Sequence, residues 1–335
     1  MRSEFQGGSE LKWIPDGFHF LGIEEAKKRR NTLDKIHSFF QKNEFNEVSP
    51  PTYDFSSSFQ NHVIYSDRKK ILKSRDNRGV EISPSPDLTL QVVKGMAGFN
   101  SDFEKSDVYY IGKIIKDIEG DINSRREFTQ AGAEILGSSD VHSIKKILFL
   151  MDGLCNHLAI PHPITLVLGN VTIVMSLLGN MGYPLESISK IIPLIYSKNK
   201  NELWSILRDY TDKPDLKEIL FKLFLSFDFL DIFTDLKLLN QKYNLKISEI
   251  IDDSEQLLNY SNNNLKNISL CMDYTLFRDL DYYTGFIFQG YGMGSSYPIF
   301  TGGAYDKLFE KFTGQEKKAC GFALNIDIFE DIIGN

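Results

Sequence analysis

The chain has 335 residues, of which 42% are hydrophobic, 25% charged and 13% aromatic, with a formal net charge of −7. These values describe a globular protein able to bury a sizeable core, as one large domain with an insertion or as two domains. An acidic balance offers no general attraction to a phosphate backbone; the scattered Cys155, Cys271 and Cys320 give no zinc spacing and read as reduced thiols; charges interrupt every apolar run that might span a membrane.

Residues 1–13 lack the apolar core of a signal peptide, so a cytoplasmic setting is expected. Residues 24–41 read as a helix, with Leu33, Ile36 and Phe40 at helical spacing and Glu24 and Glu25 in its first turn. In the following FNEVSPPTYDF, Pro50 and Pro51 forbid helix and turn a short strand into an extended segment. A basic loop leads to the strand-like VEIS, and Pro86 and Asp87 then suit a helix start with Leu88, Val92 and Val93 on the buried side. Residues 108–118 and 126–136 form a hairpin pattern around a polar loop, followed by helix from about 139 and a strand at ITLVLG.

Residues 171–264 are almost wholly helical in pattern, and within them the greasy run from Ile219 to Leu239, broken by Lys222, Asp228, Asp231, Asp235 and Lys237, reads as a buried helix. β signals return in NISLCMDYTLF, TGFIFQGY and SYPIFTGG, and a last helix is expected near 323–333. The simplest layout is an α+β sheet split around a helical insertion, with 1–170 and 265–335 as its two parts and 171–264 as the insert.

Strand alternation places Gln130, Gly132 and Glu134 on one face of the second hairpin strand, with about 13 Å between the outer two Cα atoms. An amide, a bare backbone notch and a carboxylate there leave room for a ligand the size of an amino acid lying over Gly132. An edge strand with two solvated polar residues and an incidental glycine is the alternative. No G-x-x-x-x-G-K-[ST] loop and no G-x-S-x-G elbow is present. GYGMGSS, with β signals on both sides, reads as a hairpin connection and not a dinucleotide loop.

Read in order, these segments resemble the class II aminoacyl-tRNA synthetase core of the histidyl-tRNA synthetase lineage. FNEVSPP resembles the first class II motif, used for dimerisation, VYYIGKIIKDIEGDINSRREFTQAGAEILG the second and ACGFALNID the third. RDLDYYTGFIFQGY and GGAYDKL are similar to the two histidine-recognition motifs of that family. The resemblance implies a mostly antiparallel sheet flanked by helices, and it assigns a histidine site residue by residue. Asp87, Thr89 and Gln130 match positions that grip the amino and carboxylate end, and Arg278 matches the arginine at the carboxylate. Glu134 and Tyr283 match the groups on the two ring nitrogens, Tyr305 helps to wall the pocket, and Tyr282, next to Tyr283, is counted with the histidine-binding residues. The chemistry is complementary: carboxylate for ammonium, guanidinium for carboxylate, and two polar groups spaced for an imidazole.

The nucleotide side departs from the synthetases. The arginine they carry for the α-phosphate is Lys116 here, which keeps the charge without the planar fork, and the arginine of the third motif is Ile328. Ala304 stands where an arginine usually follows the paired glycines, Ser85 where one usually precedes Pro-Asp, and Asp117, Glu119 and Asp121 add carboxylates to the loop. Two lost charge-assisted contacts at roughly 1.5–3 kcal/mol each weaken ATP binding about a hundredfold to ten-thousandfold.

The chain ends just after the third motif, so no anticodon-binding domain is expected and tRNA is not an expected partner. This pattern resembles the family of ATP phosphoribosyltransferase regulatory subunits. The resemblance implies a non-catalytic histidine sensor without catalytic residues, metal or cofactor, which self-associates through the first motif and assembles with the short catalytic subunit of ATP phosphoribosyltransferase. The alternative is a divergent histidyl-tRNA synthetase or another histidine-adenylating ligase.

Overall fold

The computed structural model describes residues 14–60, 71–99, 104–117, 125–208, 212–225, 230–276, 283–292 and 294–333. The opening helix, α1 (Ile23–Lys42), buries Arg29, Thr32, Ile36, Phe39 and Phe40 at helical spacing, and Glu25 accepts the backbone N–H of Gly22 at 2.8 Å to close its first turn. The chain then forms β1 (Asn46–Glu47), β2 (Tyr53–Phe55), a short α2 (Ser56–Gln60), β3 (Ser74–Arg75) and β4 (Glu81–Pro84). β2, β4 and β3 make a small sheet of their own, in that order. Next come α3 (Leu88–Phe99) and the hairpin strands β5 (Ser106–Ile115) and β6 (Glu127–Leu136). Leu88, Val92 and Val93 are buried as the helical spacing predicts.

After the hairpin, α4 (Val141–His157) begins at Asp140, whose side chain accepts the N–H of Ser143 at 2.8 Å, and it buries Ile144, Ile147, Met151 and Leu154. β7 (Ile164–Asn170) leads into α5 (Val171–Asn180), α6 (Leu185–Tyr196), α7 (Lys200–Leu207), α8 (Pro214–Leu225), α9 (Leu230–Tyr243) and α10 (Ser248–Asn264). Then follow β8 (Ile268–Met272), β9 (Phe286–Tyr291), β10 (Phe300–Ala304), a short α11 (Glu310–Thr313), β11 (Ala319–Asn325) and α12 (Ile326–Ile333).

Among the described residues, the main sheet has eight strands in the order β1-β5-β6-β11-β10-β9-β7-β8. The two outer pairs, β1 with β5 and β7 with β8, are parallel, and the inner pairs are antiparallel. Parallel neighbours cannot be joined by a tight turn, so the chain leaving β7 has to cross over before it returns as β8. The helices α5 to α10 are that crossover. Their buried residues, including Leu177, Ile191, Leu203, Leu220, Ile251 and Leu257, belong to one apolar interior with Tyr109, Ala133 and Phe322 of the sheet.

Two sequence expectations are corrected here. The run from Ile219 to Leu239 falls on two helices, α8 and α9, with residues 226–229 between them outside the described set. The last helix starts at Ile326, because residues 323–325 still belong to β11. β11 lies between β6 and β10 and is buried at every position from Ala319 to Leu324, so it lacks the alternation that marks a half-exposed strand. The glycine-rich 290–296 segment does connect the antiparallel neighbours β9 and β10.

Candidate functional site

A cavity of about 640 Å³ opens over the centre of the main sheet. Six of the eight residues expected at a histidine site line it: Asp87, Thr89, Gln130, Glu134, Tyr283 and Tyr305. The other two, Arg278 and Tyr282, lie outside the described residues. Asp87 and Thr89 come from the start of α3, where Asp87 caps the helix by accepting the N–H of Leu90 at 2.9 Å. Gln130 and Glu134 come from β6, opposite Asn325 and Gly321 of β11. Tyr283 and Tyr305 flank β9 and β10, and their rings meet edge to face with centroids 6.4 Å apart.

Glu134 is the polar centre of this end. It is 1% exposed; Thr89 Oγ1 donates to its Oε1 at 2.9 Å and the Tyr305 hydroxyl donates to its Oε2. The Tyr110 hydroxyl joins Thr89 at 3.1 Å. Burial, reinforced by the nearby charge of Asp87, pushes the Glu134 carboxyl up to about 8 against these hydrogen bonds. Burial also carries the Tyr110 and Tyr305 hydroxyls well above their ordinary range. Leu88, Val92, Val108, Leu308 and Phe309 form one buried apolar cluster with Tyr110 and Tyr305.

The expected notch over Gly132 is not available to a ligand. Tyr110 pairs across the hairpin with Gly132, and its ring occupies the space, such that a Cβ on Gly132 would lie 2.3 Å from the ring. The glycine that makes room in the site is Gly321 of β11, where a Cβ would fall 1.6 Å from Glu134 Oε2. A strand pattern shows which side chains share a face, but not which neighbouring strand fills a gap in it.

Toward the start of β6, where Ile114 pairs with Phe128, the cavity is lined by Ile114, Lys116, Arg125, Phe128, Ile328 and Asp331; Asn325 lies beside Gln130, and Tyr297 and Pro298 are also on the wall. Lys116 and Ile328, expected from the resemblance to stand where synthetases carry arginines, therefore line one cavity. Arg125 escaped the sequence reading, and it forms ion pairs with Asp327 at 3.4 Å and Asp331 at 3.1 Å. Asp327 is also held by the buried Arg29 at 2.8 Å, which further donates to Glu330 and to Thr129. Phe128 was within reach of the alternation, since it has the same parity as Gln130 and Glu134. Tyr297, 71% exposed on the β9–β10 connection, carried no such signal. Among the described residues, no cluster suited to a metal ion is found, and no helix is long and apolar enough to cross a membrane.

The family model for histidyl-tRNA synthetase matches residues 17–328. The structure resembles that of an ATP phosphoribosyltransferase regulatory subunit/histidyl-tRNA synthetase from Bacillus halodurans, with a TM-score of 0.81 and 20% identity over 96% of this chain and 83% of that one. It also resembles apo histidyl-tRNA synthetase from S. aureus, with a TM-score of 0.65 and 19% identity over 96% and 73% of the two chains. The fold is thus the class II synthetase core. In sequence, the chain is 39% identical over 96% of its length to the ATP phosphoribosyltransferase regulatory subunit of Leptospira interrogans, covering 94% of that protein. The subunit of the same name from Caldanaerobacter subterraneus is 26% identical over 94% of this chain and 81% of its own. The chain belongs to the family of ATP phosphoribosyltransferase regulatory subunits, built on the histidyl-tRNA synthetase core.

Proposed function

We propose that this chain is a non-catalytic regulatory subunit that binds L-histidine in the Glu134 end of the cavity and assembles with the catalytic subunit of ATP phosphoribosyltransferase in histidine biosynthesis. The carrying observation is the asymmetry of the cavity. Carboxyl, hydroxyl and amide groups converge at one end, while at the other Lys116 and Ile328 stand at the positions of two phosphate-binding arginines and Arg125 is engaged by Asp327 and Asp331. In this reading Asp87 and Gln130 meet the amino acid backbone, Glu134 and Tyr283 the ring, and Arg278 the carboxylate. Feedback follows if histidine binds one state of the complex more tightly than another, since a ligand of equal affinity shifts nothing.

The same reading treats residues 171–264 as a helical insert in a core made of 1–170 and 265–335. It includes self-association near the first motif, supported by β1 at the sheet edge and by the exposed Tyr53 and Phe55 that follow it.

The test is calorimetry with L-histidine, paired with capture of the catalytic subunit from native cells with and without histidine. Arg278→Ala is expected to weaken L-histidine far more than L-histidinol, which has no carboxylate; equal losses count against the role of Arg278. Histidine-dependent exchange of pyrophosphate into ATP would instead establish an active ligase.

A further inference from the structure

We infer that Glu134 enters the cavity's complex as a proton donor, giving its proton to a basic ring nitrogen of the ligand, so that the site selects an amino acid whose side chain is a base near neutrality and holds it as the cation. The inference rests on the histidine reading above and adds the ionisation state in which the ligand is kept.

The geometry carries it. Glu134 is buried yet lines the cavity, and its hydrogen-bond partners Thr89 and Tyr305 are both neutral hydroxyls. Among the described residues, the titratable groups around it are Asp87 from the start of α3, Tyr110 from β5, Tyr305 after β10 and Cys320 from β11, with Tyr283 facing Tyr305. Among the described residues, no lysine, arginine or histidine forms an ion pair with Glu134. A carboxylate buried against these hydroxyls and Asp87 is costly, so such a group keeps its proton until a cation reaches it. The carboxyl's rise to about 8 agrees with that arrangement.

On binding, the O–H bond of Glu134 breaks and an N–H bond forms on the ring; one proton moves and none is exchanged with solvent near neutrality. The product is an imidazolium beside a carboxylate that already accepts two hydroxyl hydrogen bonds. Below the ring's ordinary value of about 6.5 the free ligand already carries its proton, and binding must expel the one on Glu134, so affinity falls by up to about tenfold per pH unit. A side chain of the same shape but without basicity gains no ion pair.

The experiment uses the full-length protein and histidine with a 15N-labelled ring, observed by NMR at pH 7.5, with calorimetric titrations of histidine and of 1,2,4-triazole-3-alanine beside it. The expected result is a bound ring with both nitrogens protonated at a pH where free histidine is mostly neutral. The triazole should bind roughly a hundredfold more weakly, and calorimetry at pH 5.5 in buffers of different ionisation enthalpy should show about one proton released. A bound ring that is neutral, or equal affinity for the triazole, overturns the proton transfer while leaving the histidine reading standing. No histidine binding at any pH removes that reading and this inference with it. Glu134→Gln, which keeps the shape without the proton, should bind histidine with a neutral ring and at least tenfold more weakly.

Discussion

Tyr305 donates its hydroxyl hydrogen bond to Glu134 across 171 residues of chain, directly above Gly321, and both partners are almost fully buried. This contact ties the turn after β10 to the centre of β6 and sets the position of the only carboxyl that sequence parity had placed on that face of the strand. Tyr305→Phe keeps the ring and removes the donor. It should cost about 1–3 kcal/mol, because one Glu134 oxygen is left with fewer partners in a buried site. Urea unfolding at neutral pH is the check, with a lower midpoint and an unchanged slope expected.

The same carboxyl makes stability depend on pH. Its folded-state value of about 8 lies above the ordinary 4.5, so between these limits the folded protein holds a proton that the unfolded chain has lost. Stability from this group is present at low pH and falls as pH rises toward 8, by at most about 1.4 kcal/mol per unit, and then levels off. Glu134→Gln should remove this component. Comparison of urea midpoints for the two proteins from pH 5 to 9 isolates it, and parallel curves would contradict the assignment.

Gly132→Ala tests the Tyr110 packing. The new methyl would meet the ring at 2.3 Å and the Phe322 carbonyl oxygen at 2.9 Å, and forced repacking of this kind costs about 1–3 kcal/mol. Gly179→Ala, in α5 with nothing within 4 Å of the new Cβ, should instead raise stability by about 0.5–1 kcal/mol. Thermal melts of the two variants should therefore shift in opposite directions.

Arg29 binds α1 to α12 through Asp327 and Glu330, and to β6 through Thr129. Although burial alone would lower its pKa, the hydrogen bonds to the two carboxylates outweigh that and raise it. Arg29→Ala should cost about 3 kcal/mol, because Glu330 loses its cation while Asp327 keeps only Arg125. Arg29→Lys should recover only part of this loss, since one ammonium cannot reproduce the planar fork. Chemical denaturation of both variants measures the difference.

The hairpin of β5 and β6, the start of α3 at Asp87 and the helical run after β7 were legible because each is written in local terms: alternation, capping and spacing. The same parity that picked out Gln130 and Glu134 also contains Phe128, whereas Arg125 and Tyr297 belong to no periodic element and join the cavity only through folding. The helix expected from residue 323 begins only at Ile326, because β11 is buried on both faces and lacks the alternation from which a strand is recognised.

By itself, the sequence determined which side chains β6 presents together and which helix start bears Asp87 and Thr89, and its resemblance to the synthetases put Lys116 and Ile328 where arginines are expected. Only the tertiary structure decided that Tyr110 fills the gap over Gly132, that Gly321 makes room for the Glu134 carboxyl, and that Asp327 is shared by Arg29 and Arg125. Local patterns follow from backbone geometry over a few residues. The occupant of a gap and the ionisation of a carboxyl depend instead on neighbours brought from distant parts of the chain.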